Sequence, residues 1–312
     1  MRIIFMGTPD FAVTILKRLI EDGHSIEVVF SQPDRPKGRG KKMQAPPVAE
    51  FAKQNGLLLQ QPLSIKTPDI EKMFQDINPD VVVVAAYGKI IPDNLLSIPK
   101  YGFLNVHASL LPKYRGAAPI QWALRNGDAK TGVSIMQLES GLDEGPVFKM
   151  AEIAIRPEWN KKDLFDALAI LGAACLTETL NELSVLTPIP QNHQEATYAP
   201  MFGKKDGCID FSMAAEDIVN LNRSLMPDDC IYTFINNKRI AFKSVSVSDN
   251  IDIEQELPGT VINVSKQALL VATGNGVLCV TELQPAGKKA MPVHAFLNGY
   301  MLKVGDRFIN EG

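Results

Sequence analysis

Val81-Val82-Val83-Val84 is apolar at every position, and no other feature limits the fold of this chain so sharply. A strand with no polar face must be covered on both sides, which is the situation of a strand in the middle of a parallel sheet with helices above and below. The flanking sequence agrees. Residues 2–5 form a short apolar run that leads into Gly7-Thr8-Pro9-Asp10, and Phe11, Ile15, Leu16, Leu19 and Ile20 then repeat at helical spacing over residues 11–20. Further strands are predicted at 26–30, 57–59, 103–107, 131–138 and 147–155, and helices at 48–54, 70–74 and 161–186, the last capped by Asn160.

After residue 186 the texture changes. Residues 187–200 carry Pro188, Pro190 and Pro200 among polar side chains, which is linker chemistry. Beyond lie one helical segment at 214–225 and short β-type runs at 231–235, 239–247, 259–264, 268–272 and 277–283. Turn residues such as Asn236-Asn237 and Gly274-Asn275-Gly276 separate them, as in a small antiparallel barrel. The predicted organisation is α/β: a domain with a mostly parallel sheet over 1–187, a linker over 188–203 and a β-barrel domain over 204–312. A length of 312 residues suits two domains.

Composition excludes more than it selects. No apolar stretch approaches the roughly 20 residues of a membrane helix, and the chain starts directly with a strand pattern, so a cytoplasmic protein without a membrane partner is expected. Cys175, Cys208, Cys230 and Cys279 have neither metal nor disulfide-framework spacing and read as reduced thiols. With a net charge of −3, any attraction for nucleic acid must come from local basic loops.

Asn105 and His107 are two residues apart at the end of an apolar strand, so they point to one face. Asp143 stands apart in Gly141-Leu142-Asp143-Glu144-Gly145. An amide, an imidazole and a carboxylate suit acyl transfer, with two donors for a developing oxyanion and an acid to handle the proton. None is a strong nucleophile, which favours direct attack by the acceptor. A satisfied strand-end pair and a simple turn acid are the plainer readings. Position weighs against them, because strand carboxyl ends in an open α/β sheet face the ligand crevice. Gly7-Thr8-Pro9-Asp10 lacks phosphate-loop spacing and reads as a turn. His24, His193 and His294 read as solvated, and without a histidine pair at metal spacing no metal site is expected.

Residues 32–42 place Arg35, Lys37, Arg39, Lys41 and Lys42 among prolines and glycines that argue against regular structure. The segment follows the second strand and so leaves from the same edge as Asn105 and His107. A mobile basic flap over the crevice would suit an anionic substrate. Arg39 stands between Gly38 and Gly40, which allow close backbone approach. Lys288-Lys289 forms a second basic spot.

The run from Asn105 through Ser109-Leu110-Leu111-Pro112-Lys113-Tyr114-Arg115-Gly116-Ala117-Ala118-Pro119-Ile120-Gln121, the Gly141-Leu142-Asp143 loop, the 33–42 loop and residues 284–291 together resemble the methionyl-tRNA formyltransferases, nearly end to end. The Asn, His and Asp alone mark a wider group of enzymes that move a formyl group from 10-formyltetrahydrofolate to an amine. The resemblance implies a Rossmann-like catalytic domain and a C-terminal OB-like barrel that helps to hold tRNA. It implies catalytic Asn105, His107 and Asp143, and folate contacts from Ser109, Leu110, Leu111 and Pro112. Arg35, Lys37, Arg39, Lys41, Lys42, Lys288 and Lys289 are the expected tRNA contacts. Initiator methionyl-tRNA is then the partner and the enzyme a monomer. A sugar-nucleotide formyltransferase of the same build, a purine-pathway transformylase, a dinucleotide oxidoreductase and a non-catalytic nucleic-acid-binding protein remain alternatives. At residues 223–229 the family's Asn-Pro-x-Pro-type turn is replaced by a single proline followed by Asp228 and Asp229.

Overall fold

The computed structural model describes residues 1–37, 42–248 and 256–310. The chain forms two compact units, the first from Met1–Pro119, Lys130–Ala154 and Leu164–Pro200, the second from Ile120–Ala129, Ile155–Asp163 and Met201–Gly312. In chain order the strands are β1 (Arg2–Gly7), β2 (Ser25–Phe30), β3 (Arg35–Lys37), β4 (Lys42–Gln44), β5 (Leu59–Gln60), β6 (Val81–Ala85), β7 (Phe103–His107), β8 (Lys130–Gln137) and β9 (Val147–Ala154). Among them lie α1 (Asp10–Glu21), α2 (Pro47–Gln54), α3 (Pro68–Ile77), α4 (Asp93–Leu96) and α5 (Pro119–Arg125), with α6 (Lys161–Glu182) after β9.

Seven strands make one sheet in the order β5-β2-β1-β6-β7-β8-β9, parallel from β5 to β7 and antiparallel from β7 to β9. Every residue of β6 is buried, as its all-apolar sequence requires. On one face α3 packs with Phe74 stacked on Phe103, ring centroids 6.0 Å apart, over a core that includes Ile4, Met6, Val28 and Phe30. On the other, α6 approaches so closely that a Cβ on Gly172 would lie 2.8 Å from Val106 Cγ1. Asn160 caps α6 by accepting from the Lys162 and Asp163 N–H groups at 2.7 and 3.3 Å. The chain winds outward from β1 to β2 and β5, then returns to β6 and β7 on the far side. The resulting switch point between β1 and β6 opens a crevice at the carboxyl edge of the sheet.

The second unit contains α7 (Ala215–Leu225), β10 (Tyr232–Ile235), β11 (Lys238–Ser248), β12 (Val261–Val264), β13 (Leu269–Ala272), β14 (Val277–Pro285), β15 (Met291–Pro292) and α8 (Val293–Leu297). Its antiparallel sheet runs β10-β11-β14-β13-β12, with β15 on β14. The sheet curls until one tail bridges both its edges: Ile309 pairs with Phe234 of β10, and Arg307 pairs with Thr260 beside β12. Phe211, Phe242 and Phe308 fill the interior, with centroid separations of 5.2 to 6.5 Å. Residues 155–163 join this unit because the Arg223 guanidinium of α7 donates to the Trp159 and Arg156 carbonyls at 2.8 and 3.0 Å.

Two segments differ from the reading of the sequence. The segment 32–42, expected to lack regular structure, contributes β3 and the start of β4 to a two-stranded antiparallel ribbon. A ribbon of two strands consists of edges, and proline is tolerated on an edge because its missing N–H need not face a partner. Residues 187–200, expected to be linker, are hydrogen-bonded into the first unit. Pro188 and Pro190 leave Ile189 between them with both backbone groups free, and it exchanges two 2.8 Å hydrogen bonds with Val147. The strand expected at 57–59 is the two-residue β5, and α4, α5 and α8 are too short to show a helical period.

Candidate active site

β7 ends at the carboxyl edge, and the pleat presents Asn105 and His107 side by side above Phe103. Asp143 reaches them from the loop between β8 and β9. Its Oδ1 lies 3.5 Å from Asn105 Nδ2 and its Oδ2 lies 3.8 Å from His107 Nδ1. The Gly116 N–H donates to the same Oδ2 at 2.9 Å. The other ring nitrogen of His107, Nε2, lies 2.9 Å from the Tyr114 carbonyl oxygen. A carbonyl can only accept, so Nε2 carries a proton and donates, and Nδ1 is the nitrogen that faces Asp143. His107 is 5% exposed, which strengthens each polar contact it makes.

The turn after β7 is pinned by Ser134 of β8. Its hydroxyl donates to the Ser109 carbonyl at 2.7 Å and accepts from the Leu111 N–H at 3.0 Å. Ser109 is fully buried, donating to the Lys113 carbonyl at 2.6 Å, and Leu111 packs with Met136 and Val147. Of the four residues expected to meet folate, Leu110 and Pro112 are half-buried, whereas the side chains of Ser109 and Leu111 serve the turn itself.

A cavity of about 610 Å³ opens beside the loop that carries Asp143, lined by Lys66, Glu71, Ile90, Ile91, Pro92 and Ser140 among others. None of these residues stood out in the sequence, because each is ordinary by itself and they converge from three separate stretches of chain, one of which enters α3. Nearer the switch point, Tyr87 follows β6, and its carbonyl accepts from Thr8 Oγ1 and Gln32 Nε2, both at 3.0 Å. Its hydroxyl is buried without a hydrogen-bond partner among the described residues, and burial pushes its pKa up to about 12. Gly7, at the end of β1, must be glycine, since a Cβ there would sit 2.5 Å from Ala12 Cβ.

Arg35 of the ribbon donates to Gln32 Oε1 at 3.2 Å, which places it on the carboxyl edge with Tyr87. Lys89 lies close enough that burial first, and then repulsion from Arg35, lower its pKa. Lys37 pairs with Lys42 through the backbone, and Lys42 is exposed, while Arg39 and Lys41 lie outside the described residues. Lys288 and Lys289 are exposed on a turn of the second unit, whose Ala286 N–H donates to the Arg239 carbonyl. Arg239 itself stacks over the Tyr232 ring at 4.0 Å, a pairing that sequence spacing did not reveal.

Comparison with known proteins shows the class to which this fold belongs. Residues 1–180 match the formyl transferase family, residues 202–301 match the formyl transferase C-terminal domain, and the chain belongs to that family. Among its curated relatives are methionyl-tRNA formyltransferases. That of Acetivibrio thermocellus is 44% identical over 98% of each chain, and that of Geobacter metallireducens is 43% identical over 98% of this chain and 97% of the relative. Among solved structures, the sugar 3N-formyl transferase WlaRD superposes with a TM-score of 0.67 at 17% identity, covering 93% of this chain and 99% of that one. HypX from Aquifex aeolicus, crystallised with tetrahydrofolic acid, gives 0.63 at 16% identity over 98% of this chain and 48% of its own. At such identities these two likenesses bear on the fold alone.

Proposed function

We propose that this chain transfers a formyl group from 10-formyltetrahydrofolate to the amino group of methionine on charged initiator tRNA. The observation that carries the chemistry is the convergence of Asn105 and His107 on the Asp143 carboxylate at the carboxyl edge of the sheet. The full-length similarity to methionyl-tRNA formyltransferases selects the acceptor.

The bound folate supplies an activated one-carbon unit. Asn105 Nδ2 and His107 Nδ1 donate to the formyl oxygen as negative charge builds there, and one such donor is typically worth about 2.7–4 kcal/mol in the transition state. His107 Nε2 stays on the Tyr114 carbonyl and fixes the ring plane. As the amine attacks the formyl carbon, Asp143 receives the proton it sheds and passes it to the folate nitrogen, whose bond to the formyl carbon breaks to release tetrahydrofolate. The cavity beside the Asp143 loop has the size of a small-molecule site, with Ile90, Ile91 and Pro92 as an apolar wall for a pterin ring and Lys66 available to a carboxylate. Leu110 and Pro112 contribute surface, and Ser109 and Leu111 set the backbone that presents them.

On this reading Arg35, Lys37, Arg39, Lys41 and Lys42 meet the acceptor arm of the tRNA, and Lys288 and Lys289 meet its phosphates from the second unit. The protein works as a cytoplasmic monomer. No helix among the described residues is long and apolar enough to cross a membrane. The test is to incubate the protein with charged initiator tRNA and 10-formyltetrahydrofolate and to look for formylmethionine, with an amino-sugar nucleotide as the competing acceptor. Formylation of the sugar and not of the tRNA overturns the reading.

A further inference from the structure

Asp143 has a backbone φ of 49°, in the left-handed region, and its loop has no regular structure to hold it there. What holds it comes from the segment the sequence marks as linker. Gln191 Nε2 donates to the Asp143 carbonyl at 2.9 Å and to the Gly145 carbonyl at 2.7 Å, which uses both of its N–H groups. Gln191 Oε1 accepts from Arg115 Nε and Nη2 at 3.1 and 2.7 Å. Because a guanidinium has no acceptor, this fork settles which way the amide points.

Arg115 is 2% exposed and Gln191 8%. A buried guanidinium is costly unless it is paired, yet the carboxylate nearest it in the structure, that of Glu144, is 4.0 Å from Nη1 and half exposed. His193 Nδ1 lies 3.4 Å from both Nη1 and Nη2. Arg115 is therefore committed chiefly to Gln191. Its own backbone is clamped by Thr197 and Ala199, and the next N–H, of Gly116, holds the Asp143 carboxylate. Both ends of Asp143, the carbonyl and the carboxylate, are thus referred to one buried pair of residues.

We propose that Gln191 is a positioning residue for the formyl transfer, keeping the Asp143 carboxylate at Asn105 and His107, and that Arg115 acts by locking the Gln191 amide. This rests on the reading above, in which Asp143 is catalytic. Gln191→Glu keeps the size and the Arg115 pairing but turns both donors into an oxygen facing two carbonyls. It should lower kcat by on the order of 10- to 100-fold, the loss expected for a misplacement of about 1 Å, while KM for folate and for tRNA stays within roughly twofold. Placed in an Asp143→Asn background, it should cost little more, because its effect passes through Asp143. An equal fold-loss in both backgrounds, or a rise in KM with unchanged kcat, overturns the proposal. Arg115→Lys retains the buried charge without the parallel donors and should show the same kcat-only loss. It provides the same comparison if Gln191→Glu does not fold. Asp143→Asn with normal turnover would instead remove the catalytic reading of Asp143, whereas an impaired Asp143→Asn beside a Gln191→Glu enzyme of normal kcat sinks only the positioning role.

Discussion

The Asn105–His107–Asp143 site and the β3–β4 ribbon sit on the same edge of the first unit and are built in opposite ways. At the site each polar group has a stated partner: His107 between Tyr114 and Asp143, Asp143 between Gly116 and Asn105, with the loop backbone tied to Gln191. On the ribbon Arg35 touches Gln32, while Lys42, Met43 and Gln44 are exposed. Groups that stabilise a transition state must be in place before charge develops, so burial and a full set of hydrogen bonds serve them. Groups that attract a polyanion act through charge over a Debye length and lose little by being loosely held. The difference teaches which residues should respond to a small displacement and which only to loss of charge.

The comparison breaks first at the triad. Asn105→Ala, His107→Ala and Asp143→Ala should each lose roughly 10²-fold or more in turnover while still binding tRNA and folate. Single-turnover formylation with labelled methionyl-tRNA measures this, and a variant with near-normal turnover removes its residue from the mechanism. Gly116→Ala is the next largest. Gly116 has a φ of 114°, and a Cβ there would meet the Ala199 carbonyl oxygen at 3.0 Å. The strain of about 1–3 kcal/mol should appear as a lower Tm together with a reduced kcat, since the moved N–H is the one on Asp143. A lower Tm with an unchanged kcat would show that the hydrogen bond to Asp143 tolerates displacement.

On the ribbon the effects should be smaller and of another kind. Arg35→Ala and Lys42→Ala should weaken tRNA binding several-fold and leave folate KM unchanged. For each phosphate that the variant no longer neutralises, the slope of log K against log salt should fall by about 0.7 to 0.9. An unchanged slope would reduce the ribbon to a solvated hairpin. The smallest effect sharpens the contrast from inside the core, because Tyr87 is buried yet its hydroxyl is unpaired among the described residues. Tyr87→Phe should leave stability at neutral pH unchanged or raise it by about 1 kcal/mol. With its pKa raised from 10.0 to about 12, the folded tyrosine keeps a proton that the unfolded chain releases. Stability should therefore fall as pH rises through that window, and Tyr87→Phe should flatten the fall. Denaturant midpoints on either side of pH 10 read both. An alkaline decline identical in the two proteins would mean that Tyr87 is hydrated.

Much of the first unit could be read from local pattern. The all-apolar strand β6 follows from an unbroken apolar run, and the helix over residues 10–21 and the shared face of Asn105 and His107 follow from periods of 3.6 and 2 residues, all of which are properties of neighbours in the chain. Asp143 was legible as an acid in a short segment bounded by Gly141 and Gly145, although its left-handed backbone was not. The ribbon is not legible in the local pattern, because prolines and glycines disfavour regular structure by propensity, whereas pairing across an edge depends on which N–H groups face the partner. The pairing of residues 187–200 is hidden for the same reason. Their prolines disfavour a long α-helix but leave Ile189, Gln191, Thr197 and Ala199 able to pair.

By itself, then, the sequence determined the alternation of elements, the parallel core and the residue types of the acyl-transfer set, because hydrophobic period and side-chain chemistry are written in order along the chain. Only the tertiary structure decided where the acid stands. Gln191 meets the Asp143 carbonyl across 48 positions of sequence, and Arg115 orients Gln191 across 76. No spacing rule reaches that far, since a hydrogen bond between distant residues exists only once the strands and helices between them have packed and brought donor and acceptor within about 3 Å.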